Sequence, residues 1–268
     1  VRFPTSKDLT GSDAIHTDPD YSATYVTIHT SDNNFKGYGI AFTLGKGNDI
    51  VAECIKHYFP LIDGLTIDEV ENNIGSLWFN FADHSQLRWL GPEKGVVHMA
   101  LAAVFNALWD IIAKKNQQPL WKFIVESKPE KIMSWLTFKY IEDVMSKDDA
   151  FKILTESQDF KKERISTILK EGYPSYTTAA GWLGYSDEKI VELLEEYMSR
   201  GWKHFKIKVG TDLDADIKRL ELIRNTVGNE ISIMVDANQQ WDVQQSIKHI
   251  NAYKKFNLLF VEEPTSPD

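Results

Sequence analysis

The last third of the chain alternates short apolar strands with amphipathic helices, and this rhythm restricts the fold more than any other feature. Strands are predicted at Tyr176–Gly181, His204–Val209, Ile231–Ala237 and Leu258–Glu262. Helices are predicted between them, at about 187–200, 214–227 and 243–256. Strands that are joined through helices pair in parallel, because the connection must return to the same end of the sheet. The region from about residue 175 is therefore predicted to be a parallel sheet covered by helices.

Polar side chains stand at the carboxyl ends of the last three strands, where a buried parallel strand should be apolar. They are Lys206 and Lys208, Asp236 and Asn238, and Glu262. Because side chains alternate along a strand, Lys206 and Lys208 share one face, as do Asp236 and Asn238. Lys208 precedes Asp236 by 28 residues and Asp236 precedes Glu262 by 26, about the length of one strand–helix unit. In a TIM-type barrel these side chains would meet at the carboxyl-terminal rim, where active sites lie.

The residue types at this rim indicate proton abstraction assisted by a metal ion. Asp236 and Glu262 offer carboxylate oxygens, which suit a hard cation such as Mg²⁺. Lysine does not bind that cation, but a neutral lysine amine can act as a general base. A neighbouring ammonium and a divalent cation both favour the neutral form of an amine. Each motif alone is more often a solvated strand edge or a turn, so it is their order on successive strand ends that favours a site.

The first third of the chain has a different rhythm, a strand pair followed by helices. Alternation predicts strands at Tyr25–Thr30 and Lys36–Leu44 around a turn at 31–34. Helical periodicity predicts helices at about 48–59, 67–82 and 92–116, the last beginning at Pro92. We therefore expect a small α+β domain over residues 1–127. Residues 128–268 are expected to form a partial (β/α) barrel, with an insertion at about 131–174 that begins with a strand-like stretch, Ile132–Tyr140.

Charge and composition argue against several classes of protein. The formal net charge of −9 argues against nucleic-acid binding, which requires a basic face. The longest apolar stretches contain charged residues and fall short of the roughly 20 residues of a membrane span, so no membrane partner is expected. The single cysteine, Cys54, allows no intrachain disulfide and fits an intracellular setting, cytoplasm or mitochondrion. No secretory signal or targeting segment is visible.

Two further residues are candidates for a substrate pocket. His16 lies in a polar, turn-rich stretch, residues 13–21, that can reach a pocket. Trp89 is the second candidate, and packing between domains is an equal alternative for it. His98 and His249 fall within helical patterns and are expected to be packing or surface residues.

The strand-end motifs resemble those of the mandelate racemase subgroup of the enolase superfamily. That resemblance lies in Phe205–Gly210, Val235–Gln239 and Val261–Thr265. Four further stretches are similar to L-fuconate dehydratases, so that the resemblance covers nearly the whole chain. They are residues 12–14, 17–23, 89–98 and 181–187.

The resemblance implies a fold and a set of residue roles. The fold is α/β, an α+β capping domain followed by a modified TIM barrel of the (β/α)₇β type, truncated here after the fourth barrel strand. Lys208 resembles the base that removes the proton α to the substrate carboxylate, and Lys206 resembles the neighbour that keeps this base neutral. Asp236 and Glu262 resemble the first two Mg²⁺ ligands, and Asn238 a polar neighbour of metal and substrate. The use of a lysine or histidine base with Mg²⁺ is a general feature of this superfamily.

The resemblance also implies a reaction. It is the dehydration of an acid sugar, a small molecule, most closely L-fuconate to 2-keto-3-deoxy-L-fuconate, by α-proton abstraction and loss of the β-hydroxyl group. A third acidic ligand and a His–Asp dyad are expected on later strands, so this chain alone is expected to be incomplete for catalysis. The full-length form is expected to be a homo-oligomer. Two alternatives stay open: a racemase, epimerase or dehydratase for another sugar acid, and a non-catalytic truncated isoform that acts by binding.

Overall fold

The computed structural model describes residues 1–31, 33–91 and 93–267. Asp32 in the predicted turn, Pro92 at the predicted helix start and the terminal Asp268 lie outside the described residues. The chain forms two compact units. The first unit holds residues 1–2 and 22–172, and the second holds residues 3–21 and 173–268.

The first unit opens with the predicted strand pair. Strand β1 (Ser22–His29) pairs antiparallel with β2 (Lys36–Thr43), in continuous register along their length. β2 alternates buried and exposed residues, and its buried positions are small. Gly39 shows why: a Cβ atom there would lie 1.8 Å from the backbone oxygen of Ala103. Glycine at this position allows the strand to lie directly against a helix.

Seven helices follow in the described part of the first unit. They are α1 (Asn48–Tyr58), α2 (Ile67–Ala82), α3 (Val96–Lys115), α4 (Leu120–Glu126), α5 (Pro129–Met133), α6 (Lys147–Glu156) and α7 (Lys161–Glu171). The three helices predicted before residue 127 are confirmed, with α3 beginning at Val96. α3 packs against β2, α1 and α2, and buries residues such as Leu101 and Ile112 completely.

Helix α3 is also more apolar than the sequence patterns led us to expect. By length and composition alone, its 20 residues could cross a membrane, contrary to the expectation that every apolar stretch is too short. Most of that stretch, 61%, is buried inside the protein. Packing in the core of the first unit therefore accounts for the apolar composition.

Residues Ile132–Tyr140 do not form the predicted strand. α5 covers the first two of them, and turns and irregular backbone follow. Trp135 packs edge-on against Trp109 of α3, with 5.0 Å between ring centroids. Since one bulky ring is used to cover a helix, the apolar character of the stretch reflects helix packing rather than strand pairing.

The compact units do not follow the predicted boundary between residues 127 and 128. Residues 128–172 belong to the first unit and residues 3–21 to the second. Glu71 of α2 accepts hydrogen bonds from Lys115 of α3 at 2.9 Å and from Lys131 of α5 at 3.1 Å. These contacts attach the start of the insertion to the helices of the first unit.

The second unit is built on the predicted parallel sheet. Its strands are β3 (His204–Lys208), β4 (Ser232–Asp236) and β5 (Val261–Glu262), and they pair in that order. Its helices are α8 (Asp187–Ser199), α9 (Leu213–Val227) and α10 (Val243–Tyr253). The core between sheet and helices consists of fully buried apolar residues, which include Phe205, Ile207, Leu220, Ile223, Ile233 and Val235.

The strand predicted at Tyr176–Gly181 is shorter than expected. Only Thr177 forms a parallel bridge, to Phe205 of β3. The chain then turns, with the Gly181 amide donating to the Thr178 oxygen at 3.0 Å, and the Gly181 oxygen accepts from the Lys208 amide at 2.9 Å. The segment therefore contacts β3 at both ends with a turn between the two contacts.

Candidate active site

The polar strand ends face one another because the three strands pair in register. Lys208 lies opposite Asp236, and Asp236 lies opposite Glu262. Paired residues on neighbouring parallel strands point to the same face of the sheet. Lys208 Nζ accordingly donates to Asp236 Oδ2 at 2.7 Å, and Lys206 Nζ donates to Glu262 Oε2 at 2.8 Å. The predicted convergence of these four side chains is therefore observed.

One carboxylate oxygen joins the two lysines. Asp236 Oδ2 lies 3.3 Å from Lys206 Nζ as well as 2.7 Å from Lys208 Nζ. Lys208 also donates to the side-chain oxygen of Asn238, Oδ1, at 2.9 Å. The backbone N–H of Asn238 donates to Asp236 Oδ1 at 2.9 Å. Asn238 adopts a left-handed backbone conformation with φ of 49°, which asparagine tolerates better than most residues. This turn folds the amide side chain back to the lysine.

Burial and charge together set the ionisation of this cluster. Lys206 and Lys208 are each 7% exposed and Asp236 is 2% exposed. Burial lowers the pKa of Lys206, but hydrogen bonds to Glu262 and Tyr176 and the charges of Asp236 and Glu262 outweigh burial and raise it above its ordinary value. Burial raises the pKa of Asp236, but hydrogen bonds from Lys208 and the Asn238 amide outweigh burial and hold it below its ordinary value. Lys206 is therefore an ammonium and Asp236 a carboxylate at neutral pH.

Two aromatic rings border the lysines. Lys206 Nζ lies 5.0 Å from the ring centroid of Tyr176, and Lys208 Nζ lies 5.7 Å from that of Trp182. An ammonium over an aromatic face is held there by the ring quadrupole. Neither ring was predicted from the sequence to have a role in the site. The sequence feature that could have indicated such a role is their position: Tyr176 begins the predicted first strand of the sheet, and Trp182 follows directly after it.

Asp216 of α9 supports the loop that follows Lys208. It is 1% exposed, and its Oδ2 accepts hydrogen bonds from the Gly210 amide and the Tyr253 hydroxyl, both at 2.9 Å. Gly210 has a positive φ of 113°, which favours glycine. The sequence pattern did not indicate a role for this carboxylate, although Asp216 lies on the buried face of α9 with Leu220.

The two pocket candidates lie in different units. His16 is in the second unit, with Nδ1 3.2 Å from Asp13 Oδ1 and a side chain that is 40% exposed. Its segment contacts the sheet loops, since Gln240 Nε2 donates to the Ala14 oxygen at 2.8 Å. Trp89 is in the first unit and is 77% exposed, with the Arg88 guanidinium 4.9 Å from its ring. A pocket role for either residue stays a prediction.

The donor set of the rim fits a magnesium ion. Two carboxylates, Asp236 and Glu262, already share one positive charge, because the Lys206 ammonium contacts both. Among the residues described, no group of three or more His, Cys, Asp or Glu side chains is placed to hold a metal ion. Mg²⁺ is commonly held by one or two carboxylates together with water and substrate oxygens. Two carboxylates beside the Asn238 amide oxygen are consistent with that coordination.

Two known domain families match separate parts of the chain. Residues 12–124 match the N-terminal domain of mandelate racemase / muconate lactonizing enzyme, and residues 189–268 match the enolase C-terminal domain-like family. Both matched families are domain families of the enolase superfamily. These matches confirm the predicted fold class, an N-terminal domain of the capping type followed by part of a TIM-barrel-like domain.

Three relatives show how far the similarity extends. The chain is 42% identical to L-galactonate dehydratase of Hypocrea jecorina, over 100% of this chain and 60% of that protein. It is 45% identical to human Mitochondrial enolase superfamily member 1, whose crystal structure it matches with a TM-score of 0.95 over 100% of this chain and 61% of that chain. A racemase from Streptomyces coelicolor A3(2), crystallised with bound magnesium, shares the fold at 24% identity, with a TM-score of 0.72 over 100% of this chain and 61% of that chain. The chain thus spans about three-fifths of the length of these relatives.

Proposed function

We propose that the full-length protein is a Mg²⁺-dependent hydro-lyase that dehydrates an acid sugar. The observation that carries the proposal is the in-register meeting of Lys208, Asp236 and Glu262 at the carboxyl ends of three parallel strands. Buried lysines beside buried carboxylates are costly to fold, and such clusters occur preferentially at functional sites. The family matches add that this rim belongs to an enolase-type domain.

Lys208 is proposed as the base. Its Nζ takes the proton from the carbon next to the substrate carboxylate. The β-hydroxyl group then leaves as water, with a proton from an acidic residue on a later strand of the full-length protein. The resulting enol tautomerises to a 2-keto-3-deoxy acid. Lys206 is proposed as the ammonium beside this base, and Asn238 orients the Lys208 amine through its 2.9 Å hydrogen bond.

Asp236 and Glu262 are proposed as Mg²⁺ ligands, with Asn238 beside them. When bound, the cation would stabilise the negative charge that develops on the substrate carboxylate after proton removal. Asp236 is ionised at neutral pH for the reasons given above, so it is ready to bind a cation. The support from relatives is that enolase-type structures similar to this chain were crystallised with magnesium.

The proposed substrate is an acid sugar of the L-galacto configuration. The similarity to L-fuconate dehydratases favours L-fuconate, and the 42% identity to an L-galactonate dehydratase favours L-galactonate. These two acids are related compounds, since L-fuconate is the 6-deoxy form of L-galactonate. The reacting carbons C2 and C3 have the same configuration in both, so one active site can serve either, with preference decided at C6.

Location and assembly are part of the same proposal. Several relatives carry the name Mitochondrial enolase superfamily member 1, which supports a mitochondrial or other intracellular location. The homo-oligomeric state of the full-length form stays a prediction. A non-catalytic isoform that acts by binding is the competing hypothesis, and an activity assay separates the two.

The experiment is product formation by the full-length protein with Mg²⁺. L-fuconate and L-galactonate are incubated separately, with D-gluconate as the configurational control, and 2-keto-3-deoxy acids are measured by ¹H NMR. We expect turnover of at least one L-galacto acid and its loss in Asp236→Asn. Glu221→Gln, which alters an exposed carboxylate on α9 paired with Lys255, should keep the wild-type rate. No product from either acid, or an Asp236→Asn variant with unchanged rate and Mg²⁺ dependence, would contradict the proposal.

A further inference from the structure

Arg219 of α9 is connected to the candidate base through a single intermediate residue. Its Nη2 donates a hydrogen bond to the backbone oxygen of Trp182. The same oxygen accepts from the Tyr185 amide at 3.2 Å, which closes a turn. Arg219 is therefore bound to the backbone of the turn that carries Trp182.

The indole ring of Trp182 borders the amine of Lys208. Lys208 Nζ lies 5.7 Å from the ring centroid. The ring also meets Tyr21 edge-on, with centroids 6.4 Å apart and an interplanar angle of 89°. At the backbone, the Lys208 amide donates to the oxygen of Gly181, the residue before Trp182, at 2.9 Å. A shift of this turn would therefore move the ring relative to the amine.

Packing alone does not account for Arg219. Its Nε is buried and has no hydrogen-bond partner within the described part of the chain. Leaving a buried donor unpaired is unfavourable. The guanidinium is attracted to the carboxylates of Asp216 and Asp187, and its Nη2 also holds the Trp182 backbone oxygen. The hydrogen bond to Trp182 is the contact that leads to the candidate base.

We infer that Arg219 is a positioning residue for Lys208 and acts by holding Trp182 in place. The inference rests on the proposed role of Lys208 as the base. A lysine amine sits on a flexible four-carbon stem, and a bulky ring beside it limits the positions that the amine can occupy. Misplacement of a reacting group by about 1 Å can cost on the order of 10²-fold in rate. Arg219 thus affects the chemical step without touching the substrate.

The test uses substitutions in the full-length protein, assayed for dehydration of the L-galacto acid that it turns over best. Arg219→Met removes the donor and keeps an unbranched side chain. Trp182→Leu removes the ring and keeps the backbone oxygen, and Trp182→Phe keeps an aromatic face. We expect kcat to fall about 10- to 100-fold in Arg219→Met and Trp182→Leu, with KM within about 2-fold of wild type. Trp182→Phe should recover most of the lost kcat.

Arg224→Met is the matched control. Arg224 lies on the same helix and also donates to backbone oxygens, those of Phe256 and Gly228, each at 2.7 Å. It contacts none of the site residues described above. Its replacement should lower stability while kcat per folded molecule stays at the wild-type value.

A readout independent of activity is the indole N–H resonance of Trp182 in ¹⁵N–¹H NMR spectra, assigned by its loss in Trp182→Phe. We expect this resonance to shift in Arg219→Met and to stay in place in Arg224→Met. The inference is overturned if Arg219→Met keeps wild-type kcat, if it raises KM without lowering kcat, or if the indole resonance does not move. A wild-type protein that turns over no acid sugar would instead overturn the proposed function, and with it the premise for Lys208.

Discussion

Replacing Asp216 tests how the loop after Lys208 is held. Its Oδ2 accepts 2.9 Å hydrogen bonds from the Gly210 amide and the Tyr253 hydroxyl. Asp216→Ala leaves both of these buried donors without an acceptor, and each such loss costs about 1–3 kcal/mol. We therefore expect the free energy of unfolding to fall by about 2–5 kcal/mol. Asp216→Asn keeps an oxygen in the same position and should lose less than half of that.

The same carboxyl gives stability a pH dependence of known sign. Burial raises the pKa of Asp216 and outweighs the hydrogen bonds from Gly210 and Tyr253, so the folded state favours the protonated form. This contribution to stability is complete below the unfolded pKa of about 3.9 and is lost as pH rises through the higher folded pKa. Asp216→Asn does not titrate. The stability difference should therefore shift in favour of Asp216→Asn as pH rises from about 4 to about 7.

Urea unfolding followed by circular dichroism, at several pH values, measures both effects. Wild type, Asp216→Asn and Asp216→Ala are compared at each pH. The reasoning is refuted if Asp216→Ala unfolds within about 0.5 kcal/mol of wild type. It is also refuted if the difference between wild type and Asp216→Asn does not change with pH.

Two further predictions concern the first unit. Gly39→Ala should destabilise it by about 3 kcal/mol or more, measured by thermal unfolding, because the new methyl group meets a backbone oxygen of α3 at 1.8 Å. The control is Gly91→Ala, which should be nearly neutral in the same assay because its nearest atoms lie at 3.6 Å. Glu71→Gln should cost about 1–2 kcal/mol at pH 7, because burial of this carboxylate is outweighed by hydrogen bonds from Lys115 and Lys131 that lower its pKa. That cost should shrink as pH falls below the unfolded pKa of about 4.3, and a constant cost would contradict the assignment.

The rim of the second unit could be predicted from sequence because its information is local. Alternation along each strand decides which side chains share a face, and near-equal spacing places Lys208, Asp236 and Glu262 at one level. The structure pairs these three residues directly in register. The strand pair and the helices of the first unit could be predicted for the same reason, since the strands alternate apolar and polar residues and the helices show helical periodicity.

The features that sequence did not reveal depend on contacts between distant segments. The stretch Ile132–Tyr140 is apolar enough for a strand, but Trp135 uses that character to pack against Trp109. Asp216 looks like an ordinary helix residue until the Gly210 amide and the Tyr253 hydroxyl are brought to it. No period in the sequence encodes such contacts, because they form only when distant segments of the same unit pack together.

The most direct test of the account is exchange of the C2 proton of L-fuconate or L-galactonate with D₂O, followed by ¹H NMR with the full-length protein and Mg²⁺. We predict that Lys208→Ala loses exchange by about 10²–10⁴-fold. Its Mg²⁺ affinity, measured by titration calorimetry, should not fall below that of wild type, because lysine is no ligand for the cation and its ammonium contacts the proposed ligand Asp236. Exchange by Lys208→Ala at close to the wild-type rate would contradict the account and assign the base to another residue.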